Sequence, residues 1–222
     1  MKEYHKINTI YKRDMDFPGK SKPLMKGVWS TPYFEMLKDI KWVATEKIDG
    51  TNIRVLWDGF EVEFKGRTDK AQIPKHLLSK LKELFTYDNM AASFSKGYTE
   101  NGEQMQVCLY GEGYGMKIQK GGNYIPDDTD FILFDVKVGK WWLARNNVEG
   151  IATALDINVV PVIGEFTLQE AVDFVKRGFR STIAQNKDYD AEGLVLKPEH
   201  DLFQRNGQRI ITKIKTRDFK NL

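Results

Sequence analysis

The sequence predicts an α+β fold in which antiparallel strands form most of the core and a few helices flank them. Apolar runs of strand length recur between residues 42 and 215, and several are rich in β-branched and aromatic residues. Short glycine-containing turns separate some neighbouring runs, which is typical of antiparallel strands. Only three segments carry apolar residues at helical spacing. Sheets are therefore expected to dominate the core.

The first 40 residues are predicted to be an irregular lead-in, because polar stretches, prolines and glycines interrupt them. Strand-like runs begin with residues 42–47 and 51–57. Asp58-Gly59 then turns the chain into residues 60–64, which alternate strictly between apolar and polar. We therefore predict an antiparallel meander in this part of the chain.

The middle of the chain begins with a predicted helix. It starts at Pro74 and runs through Phe85, because leucines recur at helical spacing after a proline that suits the first turn. Residues 88–103 are polar and contain glycine, so a loop is predicted. Residues 105–112 predict a strand that leads into a glycine-rich stretch ending near Tyr124.

Residues 131–136 are almost entirely apolar and predict a buried strand, which continues after a turn into a second strand at 141–143. A short helix is predicted at 147–155. Residues 159–163 predict another strand, in which Pro161 indicates a sheet edge or a bulge.

The last third of the chain begins with a helix-start signal. Thr167 and Glu170 have the spacing of a capping box, and the apolar residues that follow predict a helix. Two strands are predicted at 192–197 and 209–215. No repeat or linker divides the sequence, so we expect a lead-in of residues 1–40 before one domain of residues 41–222.

The composition narrows the classes of function. The formal net charge is only +3, so contacts with nucleic acid would come from local clusters of cations rather than from bulk charge. The single cysteine, Cys108, excludes an intrachain disulfide and predicts a buried thiol in a reducing compartment. The histidines and the cysteine lack the spacing of zinc ligands. Without a long apolar run, we expect a cytoplasmic protein with no membrane contact.

The candidate catalytic residue is Lys47, which ends a predicted strand and is followed by Asp49 and Gly50. A lysine amine attacks only when neutral, and at its usual pKa of about 10.4 roughly one in a thousand is neutral near pH 7.4. Nearby cations and burial favour the neutral form. Lys213 and Lys215 could supply the cations, since both point to one face of a strand. The same four residues at 47–50 also fit a solvated surface turn.

Six short motifs follow one another in an order that is similar to the covalent nucleotidyltransferase superfamily of DNA ligases, RNA ligases and mRNA capping enzymes. They are Lys47-Ile48-Asp49-Gly50, Arg67, Glu112, Phe134-Asp135, Glu192-Gly193 and Lys213-Ile214-Lys215. Asn52 stands where DNA ligases and capping enzymes usually carry arginine, and with the run from Glu192 to Pro198 it resembles the RNA ligase 2 family. The resemblance implies an antiparallel-sheet nucleotidyltransferase (ATP-grasp-like ligase adenylation) domain with flanking helices.

The resemblance also implies ATP and Mg²⁺ or Mn²⁺ as cofactors, with AMP carried covalently on Lys47. The implied contacts are Glu46 at the adenine edge, Asn52 on the 5'-phosphate, Arg67 near ribose and phosphate, Glu112 on the ribose hydroxyls, Phe134 stacked on adenine, Glu192 on the metal or its waters, and Lys197, Lys213 and Lys215 on phosphate oxygens. Taken singly, Phe134 also fits core packing, and Arg67 and Glu112 also fit solvated positions.

The function that the resemblance implies is ATP-dependent RNA ligation of 5'-phosphate and 3'-hydroxyl ends, through lysyl-AMP and an adenylylated 5' end, at nicks in a duplex. We expect a monomer whose partner is nucleic acid, RNA ends or a nicked duplex. The sequence ends soon after Lys215, so neither an OB-fold nor a helical C-terminal domain is expected. The grip on the duplex would then come from a protein partner or from lead-in cations: Lys12, Arg13, Lys20, Lys22 and Lys26.

Three alternatives share parts of this pattern. A minimal ATP-dependent DNA ligase would use the same chemistry on DNA ends. A GTP-dependent capping enzyme fits Asn52 less well. A non-catalytic nucleic-acid end-binding protein would keep the fold and bind without forming a covalent adduct.

Overall fold

The computed structural model describes residues 3–95, 102 and 105–219, and it confirms the predicted α+β class. The described helices are α1 (Pro32–Met36), α2 (Lys75–Leu84), α3 (Tyr87–Ser93), α4 (Arg145–Ala154) and α5 (Leu168–Arg177). The described strands are β1 (Asn8–Thr9), β2 (Tyr11–Arg13), β3 (Leu24–Trp29), β4 (Trp42–Glu46), β5 (Thr51–Trp57), β6 (Val62–Lys65), β7 (Val107–Gly115), β8 (Thr129–Val138), β9 (Trp141–Trp142), β10 (Asn158–Val159), β11 (Val162–Phe166), β12 (Gly193–Pro198) and β13 (Thr212–Lys215).

These elements belong to two compact units. The central unit consists of Asp49–Val160 together with the described residues up to Tyr4. The flanking unit consists of His5–Ile48 together with the described residues from Pro161 onward. The terms central and flanking describe the positions of the two units along the sequence.

The central unit is built on a six-stranded sheet. Its order is β10-β8-β7-β5-β6, with β9 paired to β8. Among the described pairs of this sheet, β10 with β8 is parallel and the others are antiparallel. Alternate residues of β5 (Ile53, Val55 and Trp57) are buried in the core, to which α2 and α4 contribute apolar side chains. Each large apolar side chain buried in this way stabilises the fold by about 1.5–3 kcal/mol. Asn52, Arg54 and Leu56 are thereby turned to the opposite face of the sheet.

Cys108 lies on β7 within this unit and is fully buried, as the sequence predicts. Burial raises the pKa of its thiol to about 11. The thiol is therefore protonated at neutral pH and is a poor nucleophile.

The flanking unit is built on a five-stranded sheet in the order β1-β13-β12-β4-β11. The described pairs in this sheet are antiparallel except for β1 with β13. Helix α5 begins with the predicted capping box, in which Thr167 and Glu170 each accept a hydrogen bond from the other's backbone N–H. The helix buries its apolar face in a core shared with β4 and β12.

The N-terminal lead-in is more regular than predicted. Residues 8–36 form β1, β2, β3 and α1, and they bury Ile10, Tyr11 and Phe34 in the core of the flanking unit. Strand β1 pairs with β13, which lies about 200 residues later in the sequence. A local sequence pattern cannot reveal such a partner, because β propensity depends strongly on tertiary context.

Two further predictions differ from the structure. Part of the predicted loop at 88–103 is helix α3, which begins where the Thr86 side chain accepts a hydrogen bond from the backbone N–H of Asn89. Residues 96–101 and 103 of that loop lie outside the described residues. The single strand predicted at 159–163 is divided at Pro161 into β10 of the central sheet and β11 of the flanking sheet. Among the described residues, no helix is both long enough and apolar enough to span a bilayer.

Candidate active site

Three charged side chains of the flanking unit meet around one carboxylate. The Nζ atom of Lys47 lies 2.6 Å from Oε2 of Glu192, and the Nζ atom of Lys215 lies 2.6 Å from Oε1 of the same residue. The three side chains are only 13–20% exposed. Residues that the sequence places far apart are thus brought together by the fold, and we refer to them as the Lys-Glu-Lys cluster.

The electrostatics of the Lys-Glu-Lys cluster favour an anionic ligand. Burial alone would raise the pKa of Glu192, but the charge of Lys47 and the hydrogen bonds from Lys215 and Lys47 hold that pKa below its usual value. The ionised carboxylate balances only one of the two ammonium charges. A net positive charge therefore remains in a largely buried place, where a phosphate group can form strong charge-assisted hydrogen bonds.

Backbone hydrogen bonds between neighbouring strands hold the cluster in place. The N–H of Lys47, just beyond β4, donates to the carbonyl of Gly193 over 2.9 Å, and the N–H of Thr216 donates to the carbonyl of Glu192 over 2.8 Å. Lys215 is the cross-strand partner of Gly193. Each charged side chain thus projects from the end of a paired strand, which is a rigid support.

The close approach of β12 to β13 requires a glycine at position 193. Its φ is +150°, a value that residues with a side chain rarely adopt. A Cβ atom at this position would lie 1.9 Å from the carbonyl oxygen of Ile214. Glycine therefore allows the start of β12 to approach β13 between two members of the cluster.

Two more of the predicted phosphate-binding lysines lie on the same face of this sheet. Lys213 is the cross-strand partner of Val195, and Lys197 follows two residues later on β12. Because side chains alternate along a strand, Lys197, Lys213 and Lys215 share the face opposite the buried Leu194 and Ile214. All three lysines are partly accessible.

The Glu46 side chain has structural partners of its own. It is 1% exposed, and its carboxylate accepts hydrogen bonds from the Ser181 hydroxyl and from both the hydroxyl and the backbone N–H of Thr182. These bonds tie the segment after α5 to the end of β4, next to Lys47. Contact with an adenine edge would therefore involve the Glu46 backbone rather than its carboxylate.

Asn52 and Glu112 are direct cross-strand partners in the central sheet, on β5 and β7. Side chains in this relationship lie about 5 Å apart. The Asn52 side-chain oxygen is buried, and no residue that the structure describes donates a hydrogen bond to it. Leaving a buried polar atom without a partner costs about 1–3 kcal/mol. A ligand group that donates a hydrogen bond to this oxygen would remove the cost, whereas a phosphate would accept from the amide nitrogen of Asn52.

Arg67 lies in the exposed turn that follows β6. This turn is fixed by Arg54, a β5 residue that is 1% exposed. The Arg54 guanidinium donates from Nε to the carbonyl of Gly66 (3.0 Å) and from Nη2 to Oδ1 of Asp69 (2.7 Å). Arg67 is thus held between two anchored residues.

Phe134 lies at an irregularity in the pairing of β7 with β8. Tyr110 pairs with Asp135 and Gly111 pairs with Leu133, so Phe134 is the extra residue of a bulge. Its ring is half-buried and meets the Tyr4 ring edge-on, with 5.2 Å between the ring centroids. The Tyr4 hydroxyl donates to Oδ2 of Asp135 over 2.7 Å. Bulges often redirect side chains next to active sites.

A divalent cation at Glu192 would depend on its ligand for most of its coordination shell. Among the residues that the structure describes, no three histidine, cysteine or acidic side chains group together in a way that could hold a metal ion. Mg²⁺ commonly binds through one or two carboxylates, substrate phosphates and water. The single carboxylate of Glu192, beside the Lys47 and Lys215 ammonium groups, fits that mode.

Several supporting residues were missed by sequence analysis. Ser181 and Thr182 contact a glutamate about 135 residues earlier in the chain, and Tyr4 contacts an aspartate 131 residues later. Arg54 lies within a predicted strand, but nothing in the sequence indicates that it is buried. No local pattern distinguishes these residues, because each acts through a distant partner.

The sequence of the chain matches a known protein family. The sequence model of the RNA ligase family matches residues 40–215, a span that contains every predicted site residue. The protein belongs to the RNA ligase family.

Solved structures of an RNA ligase from Naegleria gruberi share the fold. A ligand-free variant of that enzyme matches with a TM-score of 0.61 and 19% identity, over 86% of this chain and 53% of the other. A variant with AMP and Mn matches with a TM-score of 0.61 and 18% identity, over 85% and 53% of the two chains. A variant with ATP and Mn matches with a TM-score of 0.61 and 17% identity, over 97% and 61%. The present chain thus spans little more than half the length of these structures.

Proposed function

We propose that the protein is an ATP-dependent RNA ligase that joins 5'-phosphate and 3'-hydroxyl ends, with Lys47 as the nucleophile. The observation that carries this proposal is the Lys-Glu-Lys cluster, which couples Lys47 to a second lysine through Glu192 and leaves a positive charge for a phosphate group. Membership of the RNA ligase family supports it. The Naegleria gruberi RNA ligase structures with ATP or AMP and Mn support the choice of cofactors.

The first step forms a bond between Nζ of Lys47 and the α-phosphorus of ATP. The bond from that phosphorus to the bridging oxygen breaks, and pyrophosphate leaves with the electron pair. In the structure Lys47 donates a hydrogen bond to Glu192. A nucleophile must offer a lone pair instead, so Lys47 releases one proton to water and separates from Glu192 before the attack, and its nitrogen releases a second proton to water once the N–P bond has formed.

Two transfers follow the formation of lysyl-AMP. An oxygen of the RNA 5'-phosphate bonds to the AMP phosphorus, and the Lys47 amine leaves. The oxygen of the RNA 3'-hydroxyl then bonds to the 5'-phosphorus and gives up its proton to water. The bond from that phosphorus to the oxygen shared with AMP breaks, and AMP departs as the strand closes. In the transition state of each transfer, negative charge is spread over the phosphate oxygens. Cations that the protein holds in fixed positions stabilise this charge.

The other predicted residues complete the proposal. Lys197, Lys213 and Lys215 hold phosphate oxygens from the sheet face that they share. Asn52 donates a hydrogen bond from its amide nitrogen to the 5'-phosphate, and Arg67 binds near ribose and phosphate. Glu112 accepts hydrogen bonds from ribose hydroxyls, and Phe134 stacks on adenine. Glu192 would hold Mg²⁺ or Mn²⁺, which when bound neutralises charge on the phosphates. The monomeric state and the cytoplasmic location predicted from the sequence are part of the same proposal.

The decisive test is to incubate the purified protein with α-labelled ATP and Mg²⁺ and to locate the adduct by mass spectrometry of its peptides. We expect AMP on Lys47. Lys47→Ala should abolish labelling, and Lys215→Ala should reduce it by about 10²-fold or more, as expected for the loss of a fixed transition-state cation. Lys75→Ala, on the exposed side of α2, is the matched control and should label normally.

Nicked duplexes with either RNA or DNA on the 3'-hydroxyl side then define the substrate. Sealing only where ribose is present supports an RNA ligase, whereas equal sealing of both would indicate a DNA ligase. An adduct on another residue, or full labelling of Lys47→Ala, would overturn the role of Lys47. RNA binding without any adduct would indicate a non-catalytic end-binding protein.

A further inference from the structure

A strongly basic hairpin of the flanking unit contains none of the residues proposed above to bind ATP. We call residues 11–29 the basic hairpin; they comprise β2, β3 and the segment between them. They contain five lysines and arginines and two aspartates. Their net charge of +3 equals that of the whole chain, so the rest of the sequence is neutral by the same count. The excess charge of the protein is therefore concentrated in 19 residues.

Two of the five cations stabilise the hairpin itself. Arg13 donates to the carbonyl of Lys22 (2.6 Å) and to Oδ2 of Asp218 (2.8 Å). The Lys22 ammonium donates to the carbonyl of Phe17. These bonds close the segment between β2 and β3. Arg13 and Lys22 are thus already engaged within the unit.

The other three cations, Lys12, Lys20 and Lys26, are exposed. No acidic side chain in the described part of the chain forms an ion pair with any of them. Lys12 follows the buried Tyr11 on β2 and so points to the solvent side. These three side chains are free to contact an external anion.

Lys26 is presented by a distortion of β3. Tyr11 pairs with Trp29 and Arg13 pairs with Leu24, so β3 carries extra residues between these two pairs. Gly27 has a φ of +75°, and a Cβ atom there would meet nothing within 4 Å. The strand therefore bows outward into open space at Met25, Lys26 and Gly27, all of which are exposed.

Apolar side chains are interspersed with these cations. Met15, Phe17 and Met25 are 70%, 43% and 43% exposed, respectively. Exposed aromatic rings among lysines are typical of surfaces that bind single-stranded nucleic acid, because bases stack on the rings while cations contact the backbone. An acidic partner without bases would use the cations but would gain little from an exposed phenyl ring.

We propose that the basic hairpin binds an RNA strand, with Lys12, Lys20 and Lys26 on backbone phosphates and Phe17 against a base. This inference rests on the proposed RNA ligase function and assigns part of the substrate grip to the chain itself. The hairpin acts on affinity for RNA and takes no part in the transfer of AMP from ATP to the enzyme.

The test measures binding of a short fluorescent 5'-phosphorylated RNA by anisotropy, without ATP, over a range of salt concentrations. The triple variant Lys12→Ala/Lys20→Ala/Lys26→Ala should bind at least about tenfold more weakly near 0.1 M salt. The slope of log affinity against log salt should become shallower by about two, since each contact with a single-stranded phosphate contributes roughly 0.7. Lys75→Ala/Lys82→Ala/Lys140→Ala removes the same charge from exposed positions of the central unit and should leave both quantities unchanged.

Phe17 is tested separately. Phe17→Ala should weaken binding about tenfold with an unchanged salt slope, and Phe17→Trp should retain it, because stacking does not release counterions. Labelling with α-labelled ATP is measured on every variant and should equal that of the wild type. If the wild type labels normally and the lysine variants keep full RNA affinity and slope, the inference is overturned while the proposed function stands. If no protein labels, the proposed function fails, and the anisotropy data still decide whether the hairpin binds RNA.

Discussion

At the scale of single residues, the arrangement of Lys47, Glu192 and Lys215 depends on a residue that has no side chain. Gly193 connects Glu192 to β12, accepts the backbone hydrogen bond of Lys47 and faces Lys215 across the sheet. Its conformation and the nearby Ile214 carbonyl leave no space for a methyl group. The geometry of three charged groups is thus set by one backbone position.

We predict that Gly193→Ala destabilises the protein by on the order of 2–4 kcal/mol, because the strained φ and the steric clash add together. Self-adenylylation should fall more than the folded fraction does, since the displaced strand shifts Lys47 and Lys215 from the positions in which they are proposed to meet ATP. Urea denaturation and labelling with α-labelled ATP measure the two effects. Gly150→Ala, in an open position on α4, is the control and should be neutral or stabilising by about 0.5–1 kcal/mol. Equal stabilities of the two variants would contradict this account.

The lowered pKa of Glu192 also predicts how the free energy of unfolding depends on pH. Its pKa in the folded protein lies below the usual 4.5. A carboxyl group of this kind contributes stability that is fully present above pH 4.5 and is lost as the pH falls through the lower, folded-state pKa. We expect the free energy of unfolding to decrease in acid in the wild type, and this component to be absent in Glu192→Gln. Urea denaturation from neutral pH to below pH 4.5 measures it, and parallel curves for the two proteins would refute the prediction.

At the scale of elements, β5 supports the turn after β6 through a buried cation. Arg54 anchors Gly66 and Asp69 on either side of Arg67. The position of the exposed Arg67, in the turn after β6, therefore depends on Arg54 of β5. If Arg67 binds ribose and phosphate as proposed, Arg54 is its positioning residue.

A double-mutant cycle tests this coupling. We predict that Arg54→Lys, which keeps the charge but cannot reach both anchors in the same geometry, raises the KM for ATP by about tenfold and changes the rate at saturating ATP less. In an Arg67→Ala background the same change should have little further effect, since residues that act as a unit are not additive. Thermal denaturation of each variant controls for loss of folded protein. Fully additive effects on KM would show that Arg54 serves stability alone.

The helices and strands also differ in how well the sequence predicts them. Strands β4 and β5, helix α2 and helix α5 were predicted because alternation, leucine spacing and a capping box are local signals. Helix α3 was missed because it has only seven residues and carries Asp88 and Asn89 in its first turn after Thr86, residue types that also favour turns. The meeting of Lys47, Glu192 and Lys215 was anticipated only through motif order. Their shared carboxylate geometry depends on strand register, which is set by the packing of whole sheets.

At the scale of the whole molecule, the boundary expected at residue 40 does not coincide with a boundary between compact units. Residues 8–36 supply β1 and three side chains of the flanking core, Ile10, Tyr11 and Phe34, each no more than 4% exposed. The loss of these three alone removes roughly 5–9 kcal/mol of apolar burial. That amount is comparable with the net stability of a typical domain.

We therefore predict that a chain of residues 41–222 fails to fold its flanking unit. Hydrogen exchange should show unprotected amides in β4, β12 and β13, while β5, β7 and β8 of the central sheet remain protected. The triple lysine variant of the basic hairpin alters the surface of the same segment without touching its core and should keep full protection. A truncated chain with native protection throughout would show that the first 40 residues are dispensable for folding.

The parallel pairing of β1 with β13 has a consequence for how the protein is made. Apart from Tyr4, the central unit is one continuous stretch of chain, and all its strands have left the ribosome soon after Val160 is synthesised. The flanking sheet cannot be completed until the strand that ends at Lys215 emerges. Lys47 is therefore synthesised early, whereas Lys215, the last lysine of the cluster, is added much later in translation. Any product cut short before residue 212 has its nucleophile but lacks the groups proposed to make it reactive.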